Sequence, residues 1–183
     1  MKHMYDHVAR QINRLSPVID LGCGCGYLAS ALSERGYIGR YRGIDLSPVA
    51  VDMATRALTK DNGQLQLFEI FDDIPFVFET GDLHDYQWEV TRDTHRTIFT
   101  CFEVLEHVED DKAIVDSLPA RSRFIFSVPN YWSGSHIRTF DSMGTAKTRY
   151  SEWLTVNSIH RFPTKQPEAA IYLYDTIRRS DKW

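Results

Sequence analysis

What the chain has little of excludes several classes of protein. None of its 183 residues lie in an apolar run approaching the roughly 18 needed to span a membrane. The opening MKHMYDHVARQINRLSP also has no apolar stretch of the secretory type. These absences predict a cytoplasmic protein that does not enter a membrane. Cysteine is scarce: there are three, an odd number, and Cys23 and Cys25 are two positions apart in a glycine-rich segment. A disulfide framework is therefore not expected, which agrees with a reducing compartment. Repeats, linkers and low-complexity stretches are missing too. What is present, 43% hydrophobic and 25% charged residues, is the composition of an ordinary globular chain. Residues 1–183 are expected to form a single domain, large enough to bury a core without metal or disulfide staples. The net charge of −4 is unevenly spread, with −9 over residues 1–111 and +5 over residues 112–183. That asymmetry suits either an anionic ligand near the C-terminal half or arginines scattered over a solvated face.

Hydrophobic spacing predicts a helix over Tyr5 to Leu15, with Val8, Ile12 and Leu15 on one stripe, and then a strand over Val18 to Leu21. The glycine cluster Gly22-Cys23-Gly24-Cys25-Gly26 separates that strand from a helix over Tyr27 to Arg35. Tyr41 to Leu46 reads as a second strand. Ser47-Pro48 gives an N-cap followed by proline at the first helical position, opening a helix over Val49 to Thr59. Gln64 to Asp73 fits either helix or loop. Pro75 to Glu79, Thr97 to Phe102 and Phe124 to Val128 read as further strands, and Glu103 to Leu118 as mostly helix. Toward the end, Thr148 to Val156 reads as helix, while Ser158 to Phe162 and Ala170 to Ile177 read as an antiparallel hairpin. Strands alternating with helices imply an α/β fold: a Rossmann-like, doubly wound, mostly parallel seven-stranded sheet with an antiparallel C-terminal edge hairpin.

A strand running into closely spaced glycines and then a helix lets backbone N–H groups approach a ligand. Two details separate this loop from a dinucleotide site. The third glycine comes one position earlier than in Gly-x-Gly-x-x-Gly, and Asp20 stands just before the loop. A carboxylate there would repel a pyrophosphate but suit an amino-acid ammonium. The segment VIDLGCGCGYLASAL closely resembles motif I of class I S-adenosylmethionine-dependent methyltransferases. That resemblance implies that Asp20, Gly22, Gly24 and Gly26 hold the methionine part of S-adenosylmethionine. It implies that Asp45, with Leu46 after it, accepts the ribose hydroxyls, and that Asp82 and Leu83 contact the adenine. Glu103, in the fourth match along the family's order, is assigned to the cofactor as well.

The next motif is Glu103-Val104-Leu105-Glu106-His107. On a helix, positions i, i+3 and i+4 share a face, so both carboxylates and the imidazole would converge. The motif resembles that of ubiquinone-biosynthesis O-methyltransferases and of metal-dependent small-RNA 3′-terminal 2′-O-methyltransferases. The second resemblance implies a divalent cation, Mg²⁺ or Mn²⁺, held by Glu103, Glu106, His107 and a further histidine after the fifth strand, for which His136 stands in place. Relatives with the same motif and no metal leave two other roles open: general acid–base work by His107 or His136 oriented by Glu106, or bracing of the loop. The turn Leu118-Pro119-Ala120-Arg121-Ser122 departs from the family's Lys-Pro-Gly-Gly type, at a place remote from the chemistry. Residues 130–150, with Tyr131, Trp132, Arg138 and Phe140, would form a lid or acceptor segment.

The expected activity is methyl transfer from S-adenosylmethionine, preferably to a hydroxyl oxygen of a small molecule, by a monomer or homodimer. An RNA or nucleotide acceptor with a divalent metal is the alternative that the basic C-terminal half favours. Two other classes are a nicotinamide-dependent oxidoreductase, opposed by the glycine spacing and Asp20, and a non-catalytic S-adenosylmethionine-binding module, opposed by the intact loop and acidic positions.

Overall fold

The computed structural model describes residues 2–60, 76–86, 88 and 94–180. The chain divides into two units, Met1–Leu83 and His84–Trp183. The first contains helix α1 (Lys2–Gln11), strand β1 (Val18–Leu21), helix α2 (Tyr27–Glu34), strand β2 (Tyr41–Asp45), helix α3 (Pro48–Lys60) and strand β3 (Phe76–Thr80). Its strands are parallel in the order β3-β2-β1, with Asp20 opposite Gly43 and Asp45 opposite Thr80. Met4, Val8 and Ala9 of α1 and Leu28, Ala31 and Leu32 of α2 are buried at helical spacing. Leu15, expected on the same stripe as Val8, is instead 68% exposed. The helix stops at Gln11, and the Asn13 side chain accepts the Leu15 N–H to close a turn. On β2, a Cβ added at Gly43 would lie 2.8 Å from the Phe78 ring and 2.9 Å from Cys23. Only glycine lets neighbouring chains pack that closely.

The second unit contains β4 (Ile98–Phe102), helix α4 (Asp111–Ser117), β5 (Arg123–Pro129), helix α5 (Met143–Arg149), β6 (Leu154–Pro163) and β7 (Ala170–Arg178). Strands β4 and β5 are parallel, whereas β7 runs antiparallel to both β5 and β6. Every residue of β4 is buried, as expected for a strand covered on both faces. Phe126 stacks on Tyr174 at 4.7 Å across the β5–β7 pair and meets Tyr150 edge-on. Each such buried aromatic contributes roughly 1.5–3 kcal/mol. Along the chain as a whole the strand order is β3-β2-β1-β4-β5-β7-β6, the mixed, mostly parallel seven-stranded sheet with the C-terminal hairpin that the sequence implies. Among the described residues no helix is long and apolar enough to cross a membrane.

Two expected helices are corrected. Glu103 to Leu118 is helical only over Asp111–Ser117. Glu103 adopts a φ of +56°, a left-handed conformation that a helix cannot contain, and residues 105–110 follow as turns. Helix α4 starts later because the Asp110 side chain caps it by accepting the Ala113 N–H at 3.3 Å. The expected helix over Thr148 to Val156 ends at Arg149, and Leu154 already begins β6, paired with Arg178. The helix in this region starts earlier, set by the Ser142–Thr145 capping box. Gln64 to Asp73 and Pro75 lie outside the described residues.

Candidate functional site

In the first unit, the loop after β1 is shaped by its backbone. Gly22, Gly24 and Gly26 have φ of +73°, +52° and +77°, values at which a side chain would be strained. The Gly22 and Cys23 N–H groups both bond to the Ile44 carbonyl, so the loop leaves β1 still attached to β2. Asp45 then holds it: Oδ2 accepts the Gly24 N–H at 2.8 Å, and Oδ1 accepts the Ser47 N–H at 2.9 Å. Each carboxylate oxygen keeps a second lone pair, so Asp45 can still accept from a ligand hydroxyl. Beside Gly24 the space that a Cβ would occupy is open to 4 Å, room for a ligand to lie against the main chain.

Asp20 is 2% exposed and accepts the Tyr41 hydroxyl at 2.5 Å. Burial first, and the Asp20 charge second, push the Tyr41 phenol well above its ordinary value, so it remains a donor. Leu46 is 71% exposed just after Asp45. The Gly81 N–H bonds to the Asp45 carbonyl and brings the end of β3 to the end of β2, with Asp82 exposed and Leu83 half-buried next in the chain. Asp20, the three glycines, Asp45, Leu46, Asp82 and Leu83 thus all follow or close strand ends within one unit.

In the second unit, Glu103 leaves β4 in its left-handed conformation and folds onto β5. Its N–H donates to Ser127 Oγ at 3.2 Å, and Ser127 Oγ donates to Glu103 Oε1 at 2.8 Å. Burial pushes the Glu103 carboxyl up to about 7 against the lowering effect of the Ser127 hydrogen bond. Glu106 has a fully buried side chain, and neither carboxylate oxygen has a hydrogen-bond partner among the described residues. Burial, then the Glu103 charge, push it up to about 8, while Arg138 acts in the opposite direction. His107 Nε2 lies 3.8 Å from Glu106 Oε1.

Both imidazoles are oriented through Nδ1: His107 against the Ser135 carbonyl at 3.0 Å, His136 against the Tyr131 carbonyl at 3.0 Å. A carbonyl only accepts, so Nδ1 carries a proton in each, and in the neutral ring that leaves the Nε2 lone pair for chemistry or a metal. The two rings meet edge-on with centroids 4.8 Å apart. Ligand atoms of Glu106, His107 and His136 all lie within 4.8 Å of one another, and Glu103 is outside that cluster. Sequence reasoning missed Ser127 as the partner of Glu103 and Arg138 as the anchor of the turn around Glu106. Neither follows from spacing, because the partners are 24 and about 30 residues apart.

Residues 2–163 match the family described as a methyltransferase domain. Among curated relatives, the ubiquinone biosynthesis O-methyltransferase of Coxiella burnetii is 32% identical over 104 residues, covering 56% of this chain and 37% of its own length. The mitochondrial enzyme of the same name from Schizosaccharomyces pombe is 30% identical over 104 residues, 55% of this chain and 32% of its own. The chain therefore matches only about a third of the length of these relatives. Among solved structures, magnesium protoporphyrin IX methyltransferase from Synechocystis PCC 6803, with S-adenosylmethionine bound, aligns with a TM-score of 0.71 at 19% identity over 98% of this chain and 79% of that one. The N-methyltransferase NodS from Bradyrhizobium japonicum WM9, in complex with S-adenosylhomocysteine, aligns with a TM-score of 0.68 at 16% identity over 98% of this chain and 86% of that one. With its glycine loop, strand-end carboxylates and mixed sheet, the chain belongs to the class I S-adenosylmethionine-dependent methyltransferases.

Proposed function

We propose that this protein methylates a hydroxyl oxygen of a small molecule. S-adenosylmethionine supplies a methyl group already activated on a sulfonium sulfur, and S-adenosylhomocysteine leaves. The residues given this cofactor are Asp20, Gly22, Gly24 and Gly26 for its amino-acid part, Asp45 with Leu46 for the ribose, and Asp82 with Leu83 for the adenine. The open face of Gly24 and the spare lone pairs of Asp45 support that assignment. Glu103, which accepts from Ser127 Oγ at the end of β4, is given to the cofactor as well.

The observation that carries the reaction type is the pair of imidazoles with Nδ1 fixed on carbonyls and their rings packed edge-on 4.8 Å apart. An acceptor hydroxyl must lose its proton as its oxygen takes the methyl, and Nε2 of His107 or His136 accepts that proton. Glu106, buried 3.8 Å from His107 Nε2, orients that imidazole. Trp132 and Ile137, 67% and 51% exposed, flank His136 in sequence and suit an acceptor with an apolar part. The names of a curated relative, a ubiquinone biosynthesis O-methyltransferase, and of a structural neighbour, magnesium protoporphyrin IX methyltransferase, also favour a small molecule. The three cysteines form no disulfide, which suits work in the reducing cytoplasm, as a monomer or homodimer.

A second reading rests on Glu106, whose buried oxygens have no hydrogen-bond partner among the described residues and lie beside His107. One carboxylate and two imidazoles within 4.8 Å suit Mg²⁺ or Mn²⁺, and Glu106, His107 and His136 would hold it. Such an ion would acidify and orient the acceptor hydroxyl, and an RNA end becomes a candidate acceptor. Incubation with S-adenosylmethionine carrying a labelled methyl group, a panel of phenols and a short RNA, with EDTA or with added Mn²⁺, separates the readings. The first expects labelled phenol ether in EDTA. Labelled RNA only with Mn²⁺ supports the second, and label in neither contradicts both.

A further inference from the structure

We infer that Arg138 is a positioning residue: held by Asp111, its guanidinium clamps the 105–109 turn and so sets Glu106 and His107 against His136. Three main-chain carbonyls receive it. Nη1 donates to Leu105 and Val108, and Nη2 donates to Glu109 at 2.9 Å. These carbonyls enclose Glu106 and His107, in a stretch where residues 103–110 form no helix and the backbone has no ladder of its own to hold it. A planar guanidinium with several fixed N–H groups meets diverging carbonyls in a way that an ammonium does not.

The arginine is itself held. Asp111, 1% exposed, lies 3.6 Å from Arg138 Nη1. The same carboxylate takes a two-pronged contact from Arg149, with both N···O distances 2.7 Å, and the Tyr150 hydroxyl at 2.5 Å. Burial works to raise the Asp111 carboxyl, but the Arg149 and Tyr150 hydrogen bonds and the Arg138 charge together hold it below its ordinary value, so it stays anionic. The backbone just before Arg138 continues the clamp. The Ile137 N–H donates to the Glu106 carbonyl at 2.9 Å, and the Ser135 carbonyl receives His107 Nδ1. One stretch, residues 135–138, thus orients His107, carries His136 and anchors the turn bearing Glu106.

The inference deepens the proposed reaction and rests on that cluster being its chemical centre. Its test reads geometry directly. In protein with labelled histidine, the His107 and His136 ring protons are recorded by NMR at one fixed pH in wild type, Arg138→Met and Arg138→Lys. Edge-on packing at 4.8 Å imposes a ring-current shift on each. Arg138→Met is expected to collapse that shift for both rings and to speed exchange of the Ile137 amide at least tenfold, with partial recovery in Arg138→Lys. S-adenosylhomocysteine affinity should stay within twofold in both variants, which also shows that they are folded. Unchanged ring shifts and amide exchange in Arg138→Met would overturn the inference. Full methyl transfer by His107→Ala, with the Arg138 effects present, would instead overturn the assignment of chemistry to the cluster and leave the clamp standing.

Discussion

The two units assemble their candidate sites by different means. In Met1–Leu83 the loop from Gly22 to Gly26 is one contiguous run, held by main-chain bonds to Ile44 and by one side chain, Asp45. In His84–Trp183 the cluster of Glu106, His107 and His136 is drawn from separate stretches, and its supports, Arg138, Asp111 and Arg149, come from further positions. A backbone cradle is set by local conformation and is insensitive to most side chains, whereas a side-chain cluster depends on a network in which each member needs the others. The first suits a ligand common to a whole family. The second is where specificity and chemistry can diverge.

If that contrast is right, changes in the two units separate binding from turnover. The largest effect is expected from His107→Ala combined with His136→Ala. Methyl transfer should fall by about 10²–10⁴-fold, the range of a general base, with the labelled-methyl assay as the measure. Next is Asp111→Asn, which leaves Arg138 and Arg149 facing a neutral amide. Because Arg149 is 32% exposed and can rehydrate, the loss of unfolding free energy in urea should be about 2–3 kcal/mol. The sign with pH is fixed. Asp111 has its carboxyl held below 3.8 when folded, so its contribution is complete above that value and disappears as pH falls through the lower folded value. The excess acid sensitivity of wild type over Asp111→Asn should therefore appear only below about pH 4.

In the first unit, Gly43→Ala should cost about 1–3 kcal/mol, because its Cβ would press on Phe78 and Cys23. A thermal melt that does not move would contradict the close packing of β2. The smallest effect concerns Glu106→Gln. A carboxyl raised to about 8 when folded takes up protons on folding, so wild type loses stability as pH climbs from 4.5 through about 8. The glutamine variant should flatten that decline and be the more stable protein at pH 9 by roughly 1–2 kcal/mol. A steeper decline in the variant would show that Glu106 is ionised and paired.

The same contrast explains what the sequence made legible. The strand–glycine–helix unit, Asp45 at the end of β2 and the C-terminal hairpin could be read because each depends on neighbours in the chain. The helix expected over Glu103 to Leu118 failed for the opposite reason. Its spacing is helical, but Ser127 and Arg138, 24 residues and more away, hold its first part in turns. Glu103, Glu106 and His107 were named together on helical grounds, yet the structure turns Glu103 toward Ser127 and joins the other two to His136. The end of α5 at Arg149 likewise reflects Tyr150 and Arg149 turning to Asp111, a partner that no local pattern shows.

The central claim is that the Gly22–Gly26 loop with Asp45 binds the donor and the Glu106–His107–His136 cluster does not. Calorimetric titration of S-adenosylhomocysteine into wild type, Asp45→Ala and the His107→Ala, His136→Ala double variant tests it most directly. The account predicts saturable binding to wild type, affinity within twofold in the histidine variant, and loss of at least about tenfold in Asp45→Ala, the cost of one charged hydrogen-bonding group. Binding unaffected by Asp45→Ala but abolished in the histidine variant would contradict it.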